Sequence, residues 1–114
     1  MKYLCLVYPP EGFVPGPATS PEYFEVRAAM DEAGVHLASG SLQPPDATTT
    51  LSVRDGETVL TDGPFAEIKE QVGGYFLLEC TDLDEAVGWA SRIPGVSRGG
   101  SVEIRPLRRL GSQP

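Results

Sequence analysis

A strand that runs directly into a capped helix is encoded by residues 75–86, Tyr-Phe-Leu-Leu-Glu-Cys-Thr-Asp-Leu-Asp-Glu-Ala. The near-continuous apolar run from Tyr75 to Cys80 is typical of a strand with two apolar faces. Asp82 and Glu85 then form a D-x-x-E capping box, which predicts the start of a helix. The apolar stripe of this helix consists of Leu83, Ala86, Val87, Ala90 and Ile93, and Pro94-Gly95 ends it.

The same strand-then-helix order is found at the start of the chain. Residues 2–8 form a short apolar run of strand formers, which Pro9-Pro10 ends. The proline-rich and glycine-rich residues 9–18 predict a surface loop. Ser20 has the side chain of an N-cap and Pro21 suits the first helical position, so a helix is predicted to begin there. Its apolar stripe consists of Tyr23, Val26, Met30 and Ala33, and Gly34 ends it.

Four further strands complete the chain. Residues 35–42 alternate sufficiently to predict a second strand. Residues 48–54 and 57–61 flank Asp55-Gly56, which is a strong signal for a two-residue hairpin turn. A loop is predicted from Asp62 to Gly73-Gly74, and a last strand follows at residues 101–107.

The order of elements is therefore strand, helix, strand, hairpin, strand, helix, strand. Two strand–helix–strand crossovers of the usual right hand give a four-stranded antiparallel sheet with both helices on one face. This is a ferredoxin-like βαββαβ arrangement of the α+β class with an inserted β-hairpin. Residues 3–7 and 75–78 supply two apolar faces, yet the helices of one chain cover only one of them. We therefore predict a homodimer whose sheets pack face to face.

Length and composition favour one folded domain. The chain has 114 residues and a mass of 12.2 kDa, and we expect residues 108–114 to be its frayed end. Hydrophobic residues make up 40% and the formal net charge is −7, which excludes a disordered polar tract. No apolar run approaches the roughly 20 residues that span a bilayer, and the first ten residues do not resemble a signal peptide. These observations predict a cytoplasmic protein with no membrane partner.

Several classes of ligand are disfavoured. Residues 1–85 hold 15 acidic and 4 basic side chains, and residues 86–114 hold 1 acidic and 5 basic ones, which does not suit nucleic-acid binding. One histidine and two distant cysteines, Cys5 and Cys80, are too few for a structural zinc site, and the thiols are expected to be buried and reduced. No lysine follows the glycines at Gly12 to Gly16, as a phosphate-binding loop requires. We expect no metal and no other cofactor.

The segment from Asp62 to Tyr75 has a distinctive sequence, Asp-Gly-Pro-Phe-Ala-Glu-Ile-Lys-Glu-Gln-Val-Gly-Gly-Tyr. It resembles the signature of the DGPF subgroup of YCII-related proteins. Residues 42–45, 82–86 and 99–106 and the pair Trp89-Ala90 are similar to further blocks of that family, so the resemblance spans nearly the whole chain. It implies a dimeric α+β barrel built on the ferredoxin-like unit, in agreement with the strand order.

The resemblance also has implications for activity and partners. YCII-related proteins are credited with a catalytic His–Asp pair, whose positions align with Tyr23 and Ile93 here, so the pair is not retained. DGPF proteins are commonly associated with extracytoplasmic-function sigma factors, which implies a transcription-linked partner. Whether the chain is an enzyme is left open.

The signature loop is the first candidate site. Asp62, Gly63 and Pro64 are first of all the residue types of a tight turn. In the functional interpretation Glu67 and Lys69 add alternating charge to Asp62, and the lysine clamps an anionic ligand or acts as an acid–base group. The predicted ligand-binding residues are Asp62, Gly63, Pro64, Phe65, Glu67, Lys69 and Tyr75. In the alternative interpretation, the two aromatic residues fill the core and the charges form a solvated ion pair.

His36 is the only histidine and lies at the start of the second strand. We interpret it as a sheet or interface residue with one bonded nitrogen, because the sequence identifies no carboxylate partner for it. In the alternative interpretation His36 is a catalytic residue, and Asp62 and Lys69 are the other candidates for that role.

We predict the first of three functions, and the other two are alternatives. The first is a homodimeric module that binds a small ligand or a regulatory partner. The second is a cofactor-independent enzyme that acts on a small organic substrate, and the third is an interaction module without a pocket. A carboxylate within hydrogen-bonding distance of His36 or Lys69 would favour the enzyme over the binding module.

Overall fold

The computed structural model describes residues 1–10, 21–64 and 71–109. Within these ranges the chain forms six strands and two α-helices. In order they are β1 (Lys2–Tyr8), α1 (Pro21–Glu32), β2 (His36–Ser41), β3 (Thr49–Arg54), β4 (Glu57–Asp62), β5 (Gly74–Glu79), α2 (Leu83–Ala90) and β6 (Ser101–Pro106). Single turns of 3₁₀ helix lie at Pro45–Ala47 and Val96–Arg98. The order of elements is the predicted one, and most bounds agree within one residue. The end of α2 was predicted wrongly, because the helix ends at Ala90 and Ile93 lies beyond it.

β1 and β5 form the centre of a four-stranded sheet with the order β2-β5-β1-β6, in which every neighbouring pair is antiparallel. Each helix connects two strands that have one other strand between them, as in a ferredoxin-like fold. β3 and β4 form a separate two-stranded sheet inserted between β2 and β5. The predicted α+β class, ferredoxin-like arrangement and inserted hairpin are confirmed.

Both helices pack on the same face of the four-stranded sheet. The buried residues of this core include Tyr3, Cys5, Phe76 and Leu78 from the sheet and Val26, Met30, Ala86 and Ala90 from the helices. The register pairs Cys5 with Phe76 and Leu4 with Leu77, so successive pairs of side chains lie on opposite faces of the sheet. β1 and β5 therefore have a second, apolar face that points away from the helices.

Two members of the predicted α2 stripe are not part of the core. Leu83 and Val87 are 53% and 47% exposed, whereas Ala86 and Ala90 are buried. The two alanines are four residues apart and face the sheet together, which turns the larger side chains toward solvent. Similarly, Ala33 lies beyond the end of α1 and is exposed. The stripes predicted from sequence were thus wider than the faces that the helices bury.

The capping box predicted for α2 is present, except that its return bond joins Glu85 to Thr81, one residue before the N-cap Asp82. The Asp82 carboxylate accepts a hydrogen bond from the Glu85 backbone N–H at 2.9 Å. The Glu85 carboxylate accepts one from the Thr81 backbone N–H at 2.7 Å. Side chains therefore satisfy donors at the start of the helix that no helical carbonyl can reach.

α1 ends in a Schellman motif. The Val35 N–H donates to the Met30 carbonyl at 3.0 Å, and the Gly34 N–H donates to the Asp31 carbonyl at 3.1 Å. Gly34 has a φ of +75°, a left-handed conformation that glycine adopts without steric cost. Val35 and Met30 are both buried, which supplies the apolar contact that accompanies this motif.

The hairpin of β3 and β4 turns at Asp55 and Gly56, whose φ values of +50° and +79° are those of a type I′ turn. Its residues Leu51, Val53 and Leu60 share one face and are between 61% and 65% exposed.

The radius of gyration of the structure is 16.0 Å. A compact domain of this length has about 13 Å, so the shape is an extended one.

Some of the predictions made from the sequence fall on residues outside the described ranges. These are loop residues 11–18, the N-cap Ser20, the site residues Phe65, Glu67 and Lys69, and residues 110–114 of the frayed end. Of the helices that are described, none has the length and apolar character that a membrane crossing requires.

Replacing Gly34 with alanine tests the Schellman motif. A Cβ at Gly34 would meet no atom within 4 Å, so the substitution adds backbone strain without a clash. We expect the free energy of unfolding to fall by about 1–2 kcal/mol in urea denaturation, the cost of a left-handed residue with a side chain.

The matched control is Gly88→Ala within α2, where an added Cβ also meets nothing within 4 Å. We expect this variant to be more stable by about 0.5–1 kcal/mol, because alanine loses less backbone entropy than glycine in a helix. Equal changes in the two variants would contradict the assignment of strain to Gly34.

Candidate functional site

His36 is the first residue of β2 and lies beside the last turn of α1, and its side chain is only 8% exposed. Its Nδ1 atom lies 2.7 Å from Oδ1 of Asp31, and its Nε2 atom lies 2.9 Å from Oγ of Ser39. The Tyr23 hydroxyl donates to the same serine oxygen at 3.2 Å. Both nitrogens of a nearly buried imidazole are therefore hydrogen-bonded, one of them to a carboxylate.

The partners of His36 define where its proton lies in the neutral imidazole. An ionised carboxylate can only accept, so Nδ1 carries the proton and donates to Asp31. Nε2 then accepts from the Ser39 hydroxyl, whose oxygen accepts in turn from Tyr23. A carboxylate, an imidazole and a serine hydroxyl thus form one hydrogen-bonded chain, with a basic nitrogen facing the hydroxyl proton.

The end of α1 places Asp31 beside His36. The Schellman motif reverses the direction of the chain at Gly34, so β2 starts alongside the last turn of the helix. Asp31 belongs to that last turn and is 54% exposed at its side chain, whereas the histidine is directed inward. The contact between Asp31 and His36 is therefore a consequence of how the helix ends.

A β-bulge places Ser39 on the same side as His36. The register between β2 and β5 shifts after His36, with Leu37 as the extra residue. In a regular strand, residues 36 and 39 would point to opposite faces. Because of the extra residue, His36 and Ser39 instead pair with two buried residues of β5 and lie on the same face of the sheet. The extra residue Leu37 is itself 46% exposed.

Aromatic rings surround the imidazole and the serine. The His36 and Phe76 rings meet edge to face with their centroids 6.4 Å apart. The Tyr23 ring lies 5.7 Å from Phe76 and 5.7 Å from Phe24. Ser39 is partly exposed, since β2 is an edge strand. The hydrogen-bonded side chains are therefore flanked by aromatic rings and are partly exposed to solvent at Ser39.

A cleft of about 360 Å³ lies between α1 and the turn that follows α2. Its charged lining residues are Glu22, Glu25, Arg92 and Arg98. Glu22 and Arg98 form an ion pair at 2.9 Å. The Arg92 guanidinium lies 4.9 Å from the centre of the Trp89 ring, and no acidic group of the described ranges pairs with it. Glu25 likewise has no basic partner among those residues, so the cleft carries one unpaired charge of each sign.

The described part of the signature loop closes the base of the hairpin. Asp62 is the exposed last residue of β4 and pairs with Thr49, so the strand extends one residue beyond its predicted end. The Gly63 N–H donates to the Thr48 carbonyl at 2.7 Å, and the Thr50 hydroxyl donates to the Gly63 carbonyl at 2.7 Å. Gly63 has a φ of +100°, and Pro64 is half-buried. In the part of the chain that is described, the Asp62 carboxylate has no hydrogen-bond partner.

Tyr75 and His36 lie on opposite faces of the sheet. Tyr75 pairs with Gly40 and covers it so closely that a Cβ added there would be 2.8 Å from the ring. The structure therefore does not bring these two predicted site residues together. Phe65, Glu67 and Lys69 lie outside the described residues, so the predicted site at the signature loop stays a prediction.

The two cysteines lie inside the core and are free thiols, Cys5 with no exposed surface and Cys80 with 2%. Burial and the neighbouring Cys80 raise the pKa of Cys5 to about 11. Burial also raises the pKa of Cys80. Neither thiol is a ready nucleophile, because the thiolate is the reactive form.

Asp31, Ser39 and Arg92 were not predicted as site residues from the sequence. The spacing of Asp31 and His36 across the helix-ending Gly34 is a signal that was available, since a Schellman motif turns the chain back on itself. The bulge at Leu37 has no such signal, because it lacks the glycine that often marks one.

Comparison with known proteins matches residues 1–110 to the YCII-related domain. An uncharacterized protein of Rhizobium meliloti (strain 1021) is 44% identical over 77 residues, which are 67% of this chain and 62% of that protein. The chain thus spans less than two thirds of the length of this relative. Because the domain match covers nearly the whole sequence, the chain belongs to the YCII-related family.

Proposed function

We propose that this YCII-related protein is a homodimer that binds a small zwitterionic molecule in the cleft between α1 and the turn after α2. The cleft itself carries the proposal. Its volume of about 360 Å³ lies within the range of roughly 300–1,000 Å³ that is usual for small-molecule sites. Ile93, which aligns with the aspartate of the family's His–Asp pair, is one of its lining residues.

The charges of the cleft support a ligand with one acidic and one basic group. Arg92 is held over Trp89 and keeps its hydrogen-bond donors for another partner, and a planar guanidinium suits a carboxylate. Glu25 offers an unpaired carboxylate to a basic group. The Glu22–Arg98 pair is already neutralised, so it contributes polarity and no net charge.

We expect native mass spectrometry of the protein purified from its own host to detect a small mass that is lost on denaturation. Arg92→Gln should lower the bound fraction at least about tenfold, because a charged hydrogen bond contributes roughly 1.5–3 kcal/mol. Arg27→Gln is the matched control, since Arg27 is exposed on α1 and does not line the cleft. A bare wild-type protein, or equal binding by both variants, would contradict the ligand proposal.

The homodimer is supported by the second face of the sheet. Leu4 and Leu6 from β1 and Tyr75 and Leu77 from β5 lie on this face, and no described helix covers it. We call these four residues the open face. On the neighbouring strand β6, Glu103 and Arg105 lie at the margin of this face and pair with each other at 3.8 Å, so they add no net charge to a two-fold interface.

Sedimentation velocity tests the dimer with two variants, one substituted on the open face and one on the exposed side of α2. We expect wild-type protein to sediment as a dimer and Leu77→Glu to sediment as a monomer, because two carboxylates would be buried at the two-fold interface. Leu83→Glu is the control, since Leu83 is 53% exposed on α2, and it should remain dimeric. A monomeric wild-type protein would overturn the dimer.

A cofactor-independent enzyme is the second candidate, and one observation favours it. The Asp31 carboxylate lies 2.7 Å from His36, which is within the reach that acid–base catalysis requires. This contact is independent of the cleft, because neither residue lines it.

We also propose a subgroup, a quaternary structure, a cellular location and a partner for this protein. The sequence from Asp62 to Phe65 supports membership of the DGPF subgroup. A dimeric α+β barrel follows if the open faces of two chains pack together. The cytoplasmic location and the link to a sigma factor rest on the sequence and on that subgroup.

A further inference from the structure

We propose that Ser39 is a nucleophile that His36 activates and Asp31 orients, and that it cleaves small carboxylic esters. This inference deepens the second candidate function and is independent of the cleft ligand. The three side chains belong to one short segment, residues 31–39. Their role is assigned from geometry, because no recognised catalytic motif contains them.

The distances are those of an activated hydroxyl. The Ser39 oxygen lies 2.9 Å from Nε2, and the Asp31 oxygen lies 2.7 Å from Nδ1, both within the roughly 2.6–3.2 Å that links a nucleophile, its base and the group that orients the base. Asp31 holds the proton on Nδ1, so the lone pair of Nε2 faces the serine. A histidine bonded through its other tautomer would have no lone pair at that position.

Tyr23 supplies a donor at the same oxygen. Its hydroxyl donates to Ser39 at 3.2 Å, so it lies next to the atom that would form the new bond. When the serine oxygen attacks a carbonyl, negative charge develops on the carbonyl oxygen beside it. We infer that Tyr23 shifts its hydrogen bond to that oxygen as the charge develops.

The reaction balances with one ester and one water molecule. Ser39 Oγ forms a bond to the carbonyl carbon while its proton passes to His36 Nε2. The bond to the alcohol oxygen then breaks, and that oxygen takes the proton from Nε2. Water attacks the acyl-serine with transfer of its proton to Nε2, and this proton returns to Ser39 Oγ as the carboxylic acid leaves. No oxidant, metal or nucleotide takes part.

The surroundings limit the acyl group to a compact one. Phe76 and Tyr23 stand on the inner side of the serine, and Phe24 next to them is 47% exposed. β2 is an edge strand and Ser39 is partly exposed, so we infer that a substrate approaches from this edge. We therefore expect a small acyl group such as acetyl to react faster than a long acyl chain.

Two probes test the proposal on the full chain. Methanesulfonyl fluoride forms a serine O–S bond with loss of fluoride, and p-nitrophenyl acetate forms an acetyl-serine with release of nitrophenolate. We expect one adduct per chain, located at Ser39 by peptide mapping. Ser39→Ala should abolish the adduct, and Asp31→Asn should slow its formation at least about tenfold, since the orienting carboxylate sets the tautomer.

Ser41→Ala is the matched control, because Ser41 is an exposed serine on the same strand, and its labelling should equal that of the wild type. Asp31→Asn alters an exposed side chain, so this variant stays informative even if Ser39→Ala does not fold. No adduct on folded wild-type protein, or an adduct at another residue, overturns the nucleophile. A small mass bound in the cleft would then still support the proposed ligand module, so the two proposals fail separately.

Discussion

The antiparallel pairing of β1 with β5 is the constraint on which the rest of the structure depends. These two strands are central, and β6 and β2 add to their outer edges. Their register puts Cys5 opposite Phe76 on one face and Leu4 opposite Leu77 on the other. A shift of one residue in one strand would exchange its faces and expose the core. The pairing therefore decides both which face the helices cover and which face no described helix covers.

Two local departures from regular structure build the His36 site on this frame. The left-handed Gly34 ends α1 and returns the chain beside Asp31. The bulge at Leu37 then turns Ser39 to the inner face. Without the first departure the imidazole has no carboxylate, and without the second it has no hydroxyl. Both departures occur within a few residues, so a short segment assembles polar groups that a regular helix and strand would keep apart.

Much of the fold could be predicted from the sequence, because its signals are local. Asp82 and Glu85 mark the start of α2, Gly34 marks the end of α1, and Asp55-Gly56 marks the hairpin. The candidate site was harder to predict. His36 was expected to have one bonded nitrogen and has two, since a β-bulge depends on strand pairing that no short sequence motif encodes.

The cleft was missed for a related reason. Glu25 and Arg92 are far apart in sequence, and only the packing of α1 against the turn after α2 brings them to one place.

The width of the α2 stripe was overestimated because apolar spacing alone does not show which residues of a stripe reach the sheet. Ala86 and Ala90 reach it, and Leu83 does not.

The most direct test of this account is the tautomer of His36, measured by long-range ¹H–¹⁵N NMR of uniformly labelled protein above neutral pH. His36 is the only histidine in the sequence, so its ring signals need no further assignment. We expect a protonated Nδ1 with a slowly exchanging proton, and an Nε2 that accepts a hydrogen bond. A protonated Nε2, or an average over both tautomers, would contradict the Asp31–His36–Ser39 chain.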